Sequence, residues 1–237
     1  MIDRSVKEHV NEPSIINVDG SLGEGGGQIL RTSLSLSMCL GKPFRIFNIR
    51  STRKNPGLQN QHLAAVNAAA KISGASIQGA TKGSTEITFA PHSVIPEEYH
   101  ISIGTAGSTT LLLQTLLPPL LVAKGPSTLI LEGGTHNPHA PPFEFLEQAF
   151  FPIINRMGPV VTLRLDRAGY YPRGGGVVRA HIQPTKVLRS IRLMTRGDIL
   201  EKLAVAIVAN LPEQIAVREL GVIGHALGLR GRSTSLM

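Results

Sequence analysis

The stretch Asp19-Gly-Ser-Leu-Gly-Glu-Gly-Gly-Gly-Gln-Ile-Leu-Arg31 lies between a short, mainly apolar run and a long one. Residues 15–18 before it have the length of a strand. Residues 29–40 after it carry apolar side chains at the spacing of a largely buried helix, and Gly41 followed by Pro43 is a typical helix stop. The sequence therefore predicts a strand, a glycine loop and a helix in direct succession.

The same pattern returns roughly 80 residues later. A short strand that contains Ile101 leads into the loop Gly104-Thr-Ala-Gly-Ser108, and an apolar helix and a strand over 128–131 follow. The repetition predicts a duplicated βα unit. Gln114 lies inside the second apolar helix, where an amide is costly without partners, so it either satisfies a backbone group or faces a ligand.

The remaining elements follow from apolar periodicity and turn residues. Around the glycine loops we predict strands over 44–49, 76–78, 86–89, 159–165 and 177–183 and helices over 62–72 and 142–157. In the first of these strands, Phe44, Ile46 and Asn48 are expected on one face. Toward the end of the chain the sequence predicts two helices, 198–210 and 212–227, without a sheet to pack on.

The chain is basic, with 24 Lys and Arg residues against 16 Asp and Glu residues. Such a balance is typical of proteins that meet phosphate-rich partners such as RNA, DNA or nucleotides. A basic protein whose charge only aids solubility has the same composition. The charge is clustered in two stretches, one with Arg45, Arg50, Arg53 and Lys54 and the other with Arg164, Arg167, Arg173 and Arg179.

Three features of the sequence bear on the cellular compartment of the protein. The single cysteine, Cys39, cannot form an internal disulfide and favours a reducing environment. The first residues are charged and carry no apolar segment of a secretion signal. The most apolar stretch, residues 111–123, is shorter than the about 20 residues of a membrane span. We expect a cytoplasmic protein that does not cross a membrane.

The glycine loop Gly23-Glu-Gly-Gly-Gly-Gln28 offers backbone N–H groups and the positive end of a helix to an anion. A structural turn would explain the glycines equally well, and no Lys-Ser/Thr pair follows them as in a Walker A loop. Glu24 favours a binding loop that includes a metal. A carboxylate at an anion site repels phosphate unless an ion such as Mg²⁺ bridges the two groups.

Basic residues follow the strand that the sequence predicts near residue 49. Arg50 and Arg53 can bind a terminal phosphate through paired guanidinium N–H groups, although a solvated basic loop has the same pattern. His62, at the start of a helix, is expected to make local hydrogen bonds. His136 and His139 lie in a proline-rich loop without a third ligand residue at metal-binding spacing, which argues against a metal site there.

Taken in order, these segments resemble the RNA 3′-terminal phosphate cyclase family from Val18 to about Asn210. The resemblance rests on six ordered motifs: Asp19 to Arg31, Ile49-Arg50 with Arg53, Pro56-Gly-Leu with Gln61-His62, Thr105-Ala-Gly-Ser with Leu113-Gln114, Gly133-Gly-Thr135 with Ala140-Pro-Pro142, and Gly169-Tyr-Tyr-Pro with Gly174-Gly-Gly176.

The resemblance implies an α/β (α+β) fold of repeated βα units, of the type that the RNA 3′-phosphate cyclases share with the enolpyruvate transferases. A smaller α/β domain is inserted in that fold before the last repeat. On this basis the chain comprises a polar leader at 1–14, a cyclase body with repeats one and two at 15–186, and the start of the inserted domain at 187–237. An enolpyruvate transferase would share the fold but should not carry the Gly23 to Gln28 loop.

The implied reaction is ATP-dependent. In the family, ATP adenylates a histidine, AMP passes to the 3′-phosphate of an RNA, and the neighbouring 2′-hydroxyl displaces AMP to leave a 2′,3′-cyclic phosphate. Covalent catalysis of this kind divides one difficult step into easier ones. The implied partners are therefore RNA with a 3′-phosphate end and a nucleotide, with Mg²⁺ or Mn²⁺ as the metal.

The family's motifs also assign roles to individual residues. Glu24 would hold the divalent metal against the ATP α-phosphate, Gln114 would contact the nucleotide, and Pro141 would line the adenine pocket. The phosphates of ATP and of the RNA end would be gathered by Arg50, Arg53, Gln61 and Arg31. Positioning and charge neutralisation of this kind are what phosphoryl chemistry chiefly needs from a protein.

One part of the family pattern has no counterpart in this chain. The nucleophilic histidine lies on the last repeat, and His225, in an apolar helical context, does not match it. We therefore expect a C-terminally truncated member without the catalytic histidine and without activity. The alternative is a non-catalytic RNA-binding relative that acts in ribosome assembly or RNA processing.

Overall fold

The structure, a computed structural model, describes residues 15–236. The chain forms two compact units, which divide between Ser190 and Ile191. Within the described residues, no helix has the length and apolar character needed to cross a membrane.

The first half of the larger unit is a βαβαββ repeat. Its elements are β1 (Ile16–Asp19), α1 (Gly27–Leu40), β2 (Phe44–Phe47), α2 (Asn60–Ser73), β3 (Ser76–Gln78) and β4 (Ile87–Ala90). The strands form one sheet in the order β1-β2-β4-β3, in which β1 and β2 are parallel and the other neighbours antiparallel. The predicted succession of strand, glycine loop and helix is confirmed.

The second half repeats this arrangement element by element. It comprises β5 (Glu98–Ser102), α3 (Thr109–Leu121), β6 (Ser127–Gly133), a helix made of α4 (Phe143–Phe145), a π-helical turn (Leu146–Phe150) and α5 (Phe151–Asn155), and then β7 (Val160–Arg167) and β8 (Gly176–Gln183). The sheet order β5-β6-β8-β7 has the same parallel and antiparallel pairs as the first sheet. The duplicated βα unit is confirmed, and the duplication extends to the whole βαβαββ topology.

Helices α1, α2 and α3 pack against one another and form one core with the inner faces of the sheets. Leu34, Val66 and Leu116, one from each helix, are fully buried. Burial of such side chains stabilises the fold by about 1.5–3 kcal/mol each. Gly41 ends α1 in the left-handed conformation, as the sequence predicted, and Gly74 ends α2 in the same way.

Asn48 differs from the sequence prediction. Strand β2 ends at Phe47, and Asn48 lies beyond it with a positive φ of 55°. Phe44 and Ile46 are buried on the inner face of the sheet, as expected. An alternating pattern does not show where a strand ends, and asparagine adopts left-handed backbone more readily than most residues, so it suits the turn.

The smaller unit corrects two predictions. The helix predicted over 198–210 is wrong, because strand β9 (Leu203–Ala209) occupies that segment, and a sheet is present. Helix α6 (Gln214–Leu227) follows, and β10 (Arg230–Leu236) pairs with β9 in parallel along seven residues. A short, wholly apolar run does not distinguish strand from helix by its period, and the β-branched residues of this run favour a strand.

The segment of the smaller unit that precedes β9 suggests a proteolysis experiment. Residues 192–202 contain no helix or strand and are exposed, whereas Arg218 is exposed within α6. Because proteases need an extended backbone, we expect trypsin to cut first after Arg192, Arg196 or Lys202 and only later after Arg218. Mass spectrometry of the early fragments measures the order. Initial cleavage after Arg218 would contradict the ordered β9-α6-β10 unit.

Candidate functional site

The N-terminus of α1 is an open helix end. Gly23 and Gly25 adopt positive φ angles of 59° and 55°, and Gly26 precedes the first helical residue without a side chain that caps the helix. The first turn contains no acidic residue. Such an end presents unpaired N–H groups and a partial positive charge, which attract anions.

Three basic side chains converge on this helix end. A Cβ atom at Gly26 would lie 3.3 Å from Nη2 of Arg53. A Cβ atom at Gly27 would lie 2.9 Å from Nη1 of Arg31 and 2.6 Å from Cδ2 of His62, and would overlap the imidazole. The glycine at 27 is therefore required by the close approach of these two side chains, which explains this part of the glycine loop better than a turn does.

Arg31 carries a buried charge that no carboxylate neutralises among the contacts described. Only 8% of the residue is exposed, and its Nη2 donates to Oε1 of Gln28 at 2.9 Å. Its Nε is buried and has no hydrogen-bond partner within residues 15–236. Burial lowers the pKa of the guanidinium. A buried cation of this kind is costly unless a ligand pairs with it.

Arg50 holds the loop that follows β2. The residue has a φ of 53°, and its Nη1 donates to the backbone carbonyls of Asn55 and, at 3.0 Å, Gly57. Its pKa is lowered by burial and by the nearby charge of Arg53. Part of its hydrogen-bonding capacity therefore stabilises the loop, and its role toward phosphate stays a prediction.

Glu24 and Arg53 line an open cleft of about 660 Å³ together with Thr52 and His139. The Glu24 side chain is 95% exposed, and its Oε2 lies 3.7 Å from Nη2 of Arg53. No group of three or more His, Cys, Asp or Glu residues that could hold a metal occurs among the described residues. One exposed carboxylate fits Mg²⁺ or Mn²⁺ only where ligand phosphates and water complete the coordination, which is the usual binding mode of Mg²⁺.

His62 makes the local hydrogen bond that the sequence predicted. Its Nδ1 accepts from the backbone N–H of Gln59 at 3.2 Å, in a capping box at the start of α2. Burial, followed by the charges of Arg50 and Arg31, lowers the pKa of His62 to about 4. The imidazole is therefore neutral near pH 7.

The second glycine loop is closed by the protein itself. Oε1 of Gln61 accepts from the backbone N–H of Ser108 at 2.9 Å, and the Ser108 hydroxyl caps α3 by accepting from the N–H of Leu111. A Cβ atom at Gly107 would lie 3.1 Å from Cβ of Gln61. Gln61 thus joins the two repeats, a structural contact that sequence reasoning missed. Its role toward phosphate stays a prediction.

Gln114 lies apart from Glu24 and Arg53. It is exposed, so it does not carry the cost of burial expected from its apolar helix, and it lines a groove of about 240 Å³ with Arg31 and Pro118. Pro118 has no N–H, so the backbone carbonyl of Gln114 lacks its usual helical hydrogen-bond donor. The structure therefore distributes the predicted nucleotide residues between a cleft and a groove, both adjoining α1.

Pro141 is half-buried in the loop after β6, two residues beyond His139. In the same loop, His136 is fully engaged: its Nδ1 pairs with the Thr135 hydroxyl at 2.8 Å and its Nε2 with Glu144 at 3.1 Å. The ring also stacks on Tyr170. These contacts give His136 a structural role in shaping the loop, and the part of Pro141 in adenine binding stays a prediction.

Comparison with known sequences identifies the family. Residues 22–227 match the family described as RNA 3′-terminal phosphate cyclase. The chain belongs to this family. A protein of Koribacter versatilis (strain Ellin345) named RNA 3′-terminal phosphate cyclase is 54% identical over 224 residues, which are 94% of this chain. A protein of the same name from Ectopseudomonas mendocina (strain ymp) is 51% identical over 212 residues, or 90% of this chain.

The chain spans 63% and 61% of the lengths of these two cyclase relatives. Among solved structures, the EPSP synthase of Acinetobacter baumannii aligns with a TM-score of 0.33 and 12% sequence identity. The alignment covers 76% of this chain and 50% of that one.

Two residues of the open cleft, Thr52 and His139, were not among the predicted site residues. Thr52 stands between Arg50 and Arg53, and its Oγ1 lies 2.8 Å from the position that a Cβ atom would take at Gly25. The only sequence signal for Thr52 is this position in the basic loop. For His139, the residue type is visible in the sequence, but the positive φ of 61° in the loop that carries it to the cleft is not.

The bond between Gln61 and Ser108 predicts a difference between two glutamines of the cyclase motifs. Gln61→Ala leaves the Ser108 N–H without its acceptor, and we expect the free energy of unfolding to fall by about 1–2 kcal/mol. Gln114→Ala removes an exposed side chain and should cost less than about 0.5 kcal/mol. Gln61→Glu, which retains an acceptor, serves as the control. Equilibrium urea unfolding measures all three, and equal losses for the two alanine variants would contradict this role of Gln61.

Proposed function

We propose that this chain binds the 3′-phosphate end of RNA together with ATP, as part of the ATP-dependent conversion of that end to a 2′,3′-cyclic phosphate. The observation that carries the proposal is the open end of α1, where Arg31 brings a buried, uncompensated charge to within 2.9 Å of the Cβ position of Gly27. A phosphate group supplies the negative charge and the acceptor oxygens that this arrangement lacks.

Individual residues have distinct parts in the proposal. Arg31 and Arg53 bind phosphate oxygens from two sides of the helix end. Arg50 supports the loop that carries Arg53, and its charge adds to the positive potential. Gln61, bound to Ser108, fixes the start of α2 and so orients the site. The permanent guanidinium charges neutralise phosphate at any physiological pH.

The nucleotide is proposed to lie across the surface that adjoins α1. Gln114 offers an exposed amide in the groove with Arg31, and Pro141 follows the cleft-lining residue His139 in the chain. Glu24 would hold Mg²⁺ or Mn²⁺ in the cleft. When bound, the ion neutralises phosphate charge and lets the carboxylate and the phosphates share one site. The lone Cys39 fits our proposal of a cytoplasmic location.

We further propose that adenylation does not occur on the histidines that border these loops. A neutral imidazole attacks through its unprotonated nitrogen. In His62 that nitrogen is Nδ1, which accepts the Gln59 N–H. In His136 both ring nitrogens are paired within the protein, because Nε2 lies 3.1 Å from a Glu144 carboxylate oxygen and Nδ1 lies 2.8 Å from the Thr135 hydroxyl oxygen. Both candidate nucleophiles are therefore occupied, which favours binding without covalent chemistry in this chain.

The proposed role of Arg53 in phosphate binding is tested by comparing two variants, each of which lacks one arginine of the first repeat. We expect Arg53→Gln to weaken binding of a 3′-phosphorylated oligoribonucleotide about tenfold, because one charged hydrogen bond is lost. Binding of the same oligonucleotide with a 3′-hydroxyl should hardly change. Arg45→Gln removes the same charge from a residue that pairs with Glu86 and should leave both affinities nearly unchanged. Fluorescence anisotropy measures the affinities, and equal effects of the two variants would reject a specific phosphate site.

Covalent chemistry is tested separately. Incubation with α-labelled ATP and Mg²⁺, followed by denaturing electrophoresis, should give no labelled band at about 25 kDa. A band that disappears in His139→Asn or His225→Asn, but not in His136→Asn, would show that a histidine outside these two hydrogen-bonded pairs is the nucleophile. That outcome would contradict our proposal for this chain.

A further inference from the structure

The second ring nitrogen of His62 has no role in the capping box. Because Nδ1 accepts the backbone N–H of Gln59, Nδ1 carries no proton. The neutral imidazole therefore carries its proton on Nε2. Within residues 15–236, the Nε2–H makes no hydrogen bond, and the residue is only partly buried.

The position of this N–H relates it to the open helix end. Nε2 lies against Gly27, at the place where a Cβ atom would be, and Nη1 of Arg31 approaches the same place to 2.9 Å. Arg31 is more than nine-tenths buried and its Nε is without a partner among the described residues. Two side-chain donors from different helices thus meet at the first residue of α1.

We propose that the Nε2–H of His62 is an additional phosphate-binding donor, which forms one site with Arg31 and the first backbone amides of α1. The inference rests on the proposed function and deepens it. The ligand class is a phosphate group with free oxygens, which either an RNA 3′-end or ATP can supply. His62 contributes a directed hydrogen bond without a charge, and Arg31 and Arg50 supply the charges that face it.

The alternative is that His62 serves only to cap α2, and two substitutions separate the two roles. The side-chain oxygen of Asn reaches the region of Nδ1, so His62→Asn keeps the acceptor for Gln59 and removes the donor. The side-chain amide of Gln reaches the region of Nε2, so His62→Gln keeps the donor and removes the acceptor. Each variant thus preserves one of the two functions and controls for the other.

The experiment uses the full chain and three probes: an oligoribonucleotide with a 3′-phosphate, the same oligonucleotide with a 3′-hydroxyl, and ATP. We expect His62→Asn to bind the phosphate-bearing probe about tenfold more weakly than the unchanged protein, with a melting temperature within a few degrees of it. His62→Gln should bind within about threefold of the unchanged protein and melt at a lower temperature, because the helix cap is lost.

The probe that His62→Asn binds more weakly than the unchanged protein shows whether the RNA 3′-phosphate or a phosphate of ATP occupies this site. Weaker binding of either one supports the proposal. Unchanged binding by His62→Asn, in a protein that prefers the 3′-phosphate over the 3′-hydroxyl or binds ATP, overturns this inference but leaves the proposed function intact. If the unchanged protein neither prefers the 3′-phosphate nor binds ATP, both are overturned. Should His62→Asn fail to fold, weak binding by folded His62→Gln overturns the inference.

Discussion

The start of helix α2 contacts both glycine loops through two adjacent side chains, and the geometry of the larger unit around the site depends on these contacts. Gln61 packs on Gly107, and His62 packs on Gly27. In both places a Cβ atom would collide with a neighbouring side chain: the imidazole of His62 at Gly27, and Ile103 at Gly107. The two glycines thus allow one helix turn to join the two repeats and to fix the relative positions of α1, α2 and α3.

The two repeats share a topology but differ where chemistry is possible. In the second repeat, the N–H of Ser108 and the end of α3 are bonded to Gln61 and to the Ser108 hydroxyl, and the side chain of Asn137 donates to the carbonyl of Ala106. In the first repeat, no side chain caps α1, and the side chains nearest to it are the hydrogen-bond donors Arg31, Arg53 and His62. Protein groups satisfy the end of α3, whereas the end of α1 has no side-chain cap and is the one that we propose as the phosphate site.

Much of the larger unit could be predicted because its pattern is strongly periodic and its glycines mark the element boundaries. The strand over 203–209 was missed, because seven consecutive apolar residues show no period that separates a strand from a buried helix, and only their β-branched members favour a strand. For the site, the family resemblance assigned Arg31 and Arg53 to phosphate binding and Glu24 to metal binding. The sequence could not show that Arg50 donates hydrogen bonds to carbonyls of its own loop, because that contact depends on turn geometry. Nor could it show that Gln61 bonds to Ser108, because that contact depends on the packing of distant segments.

The central claim is that the end of α1, and not the end of α3, is the phosphate site. It is tested most directly by titrating a ribonucleoside 3′-phosphate into isotope-labelled protein and recording amide ¹H–¹⁵N shifts. We expect the amides of residues 26–28 to shift progressively and to saturate, whereas those of Gly107 and Ser108, already bonded or enclosed within the protein, should stay in place. Saturable shifts confined to Gly107 and Ser108, or no saturable shift at either loop, would contradict the account.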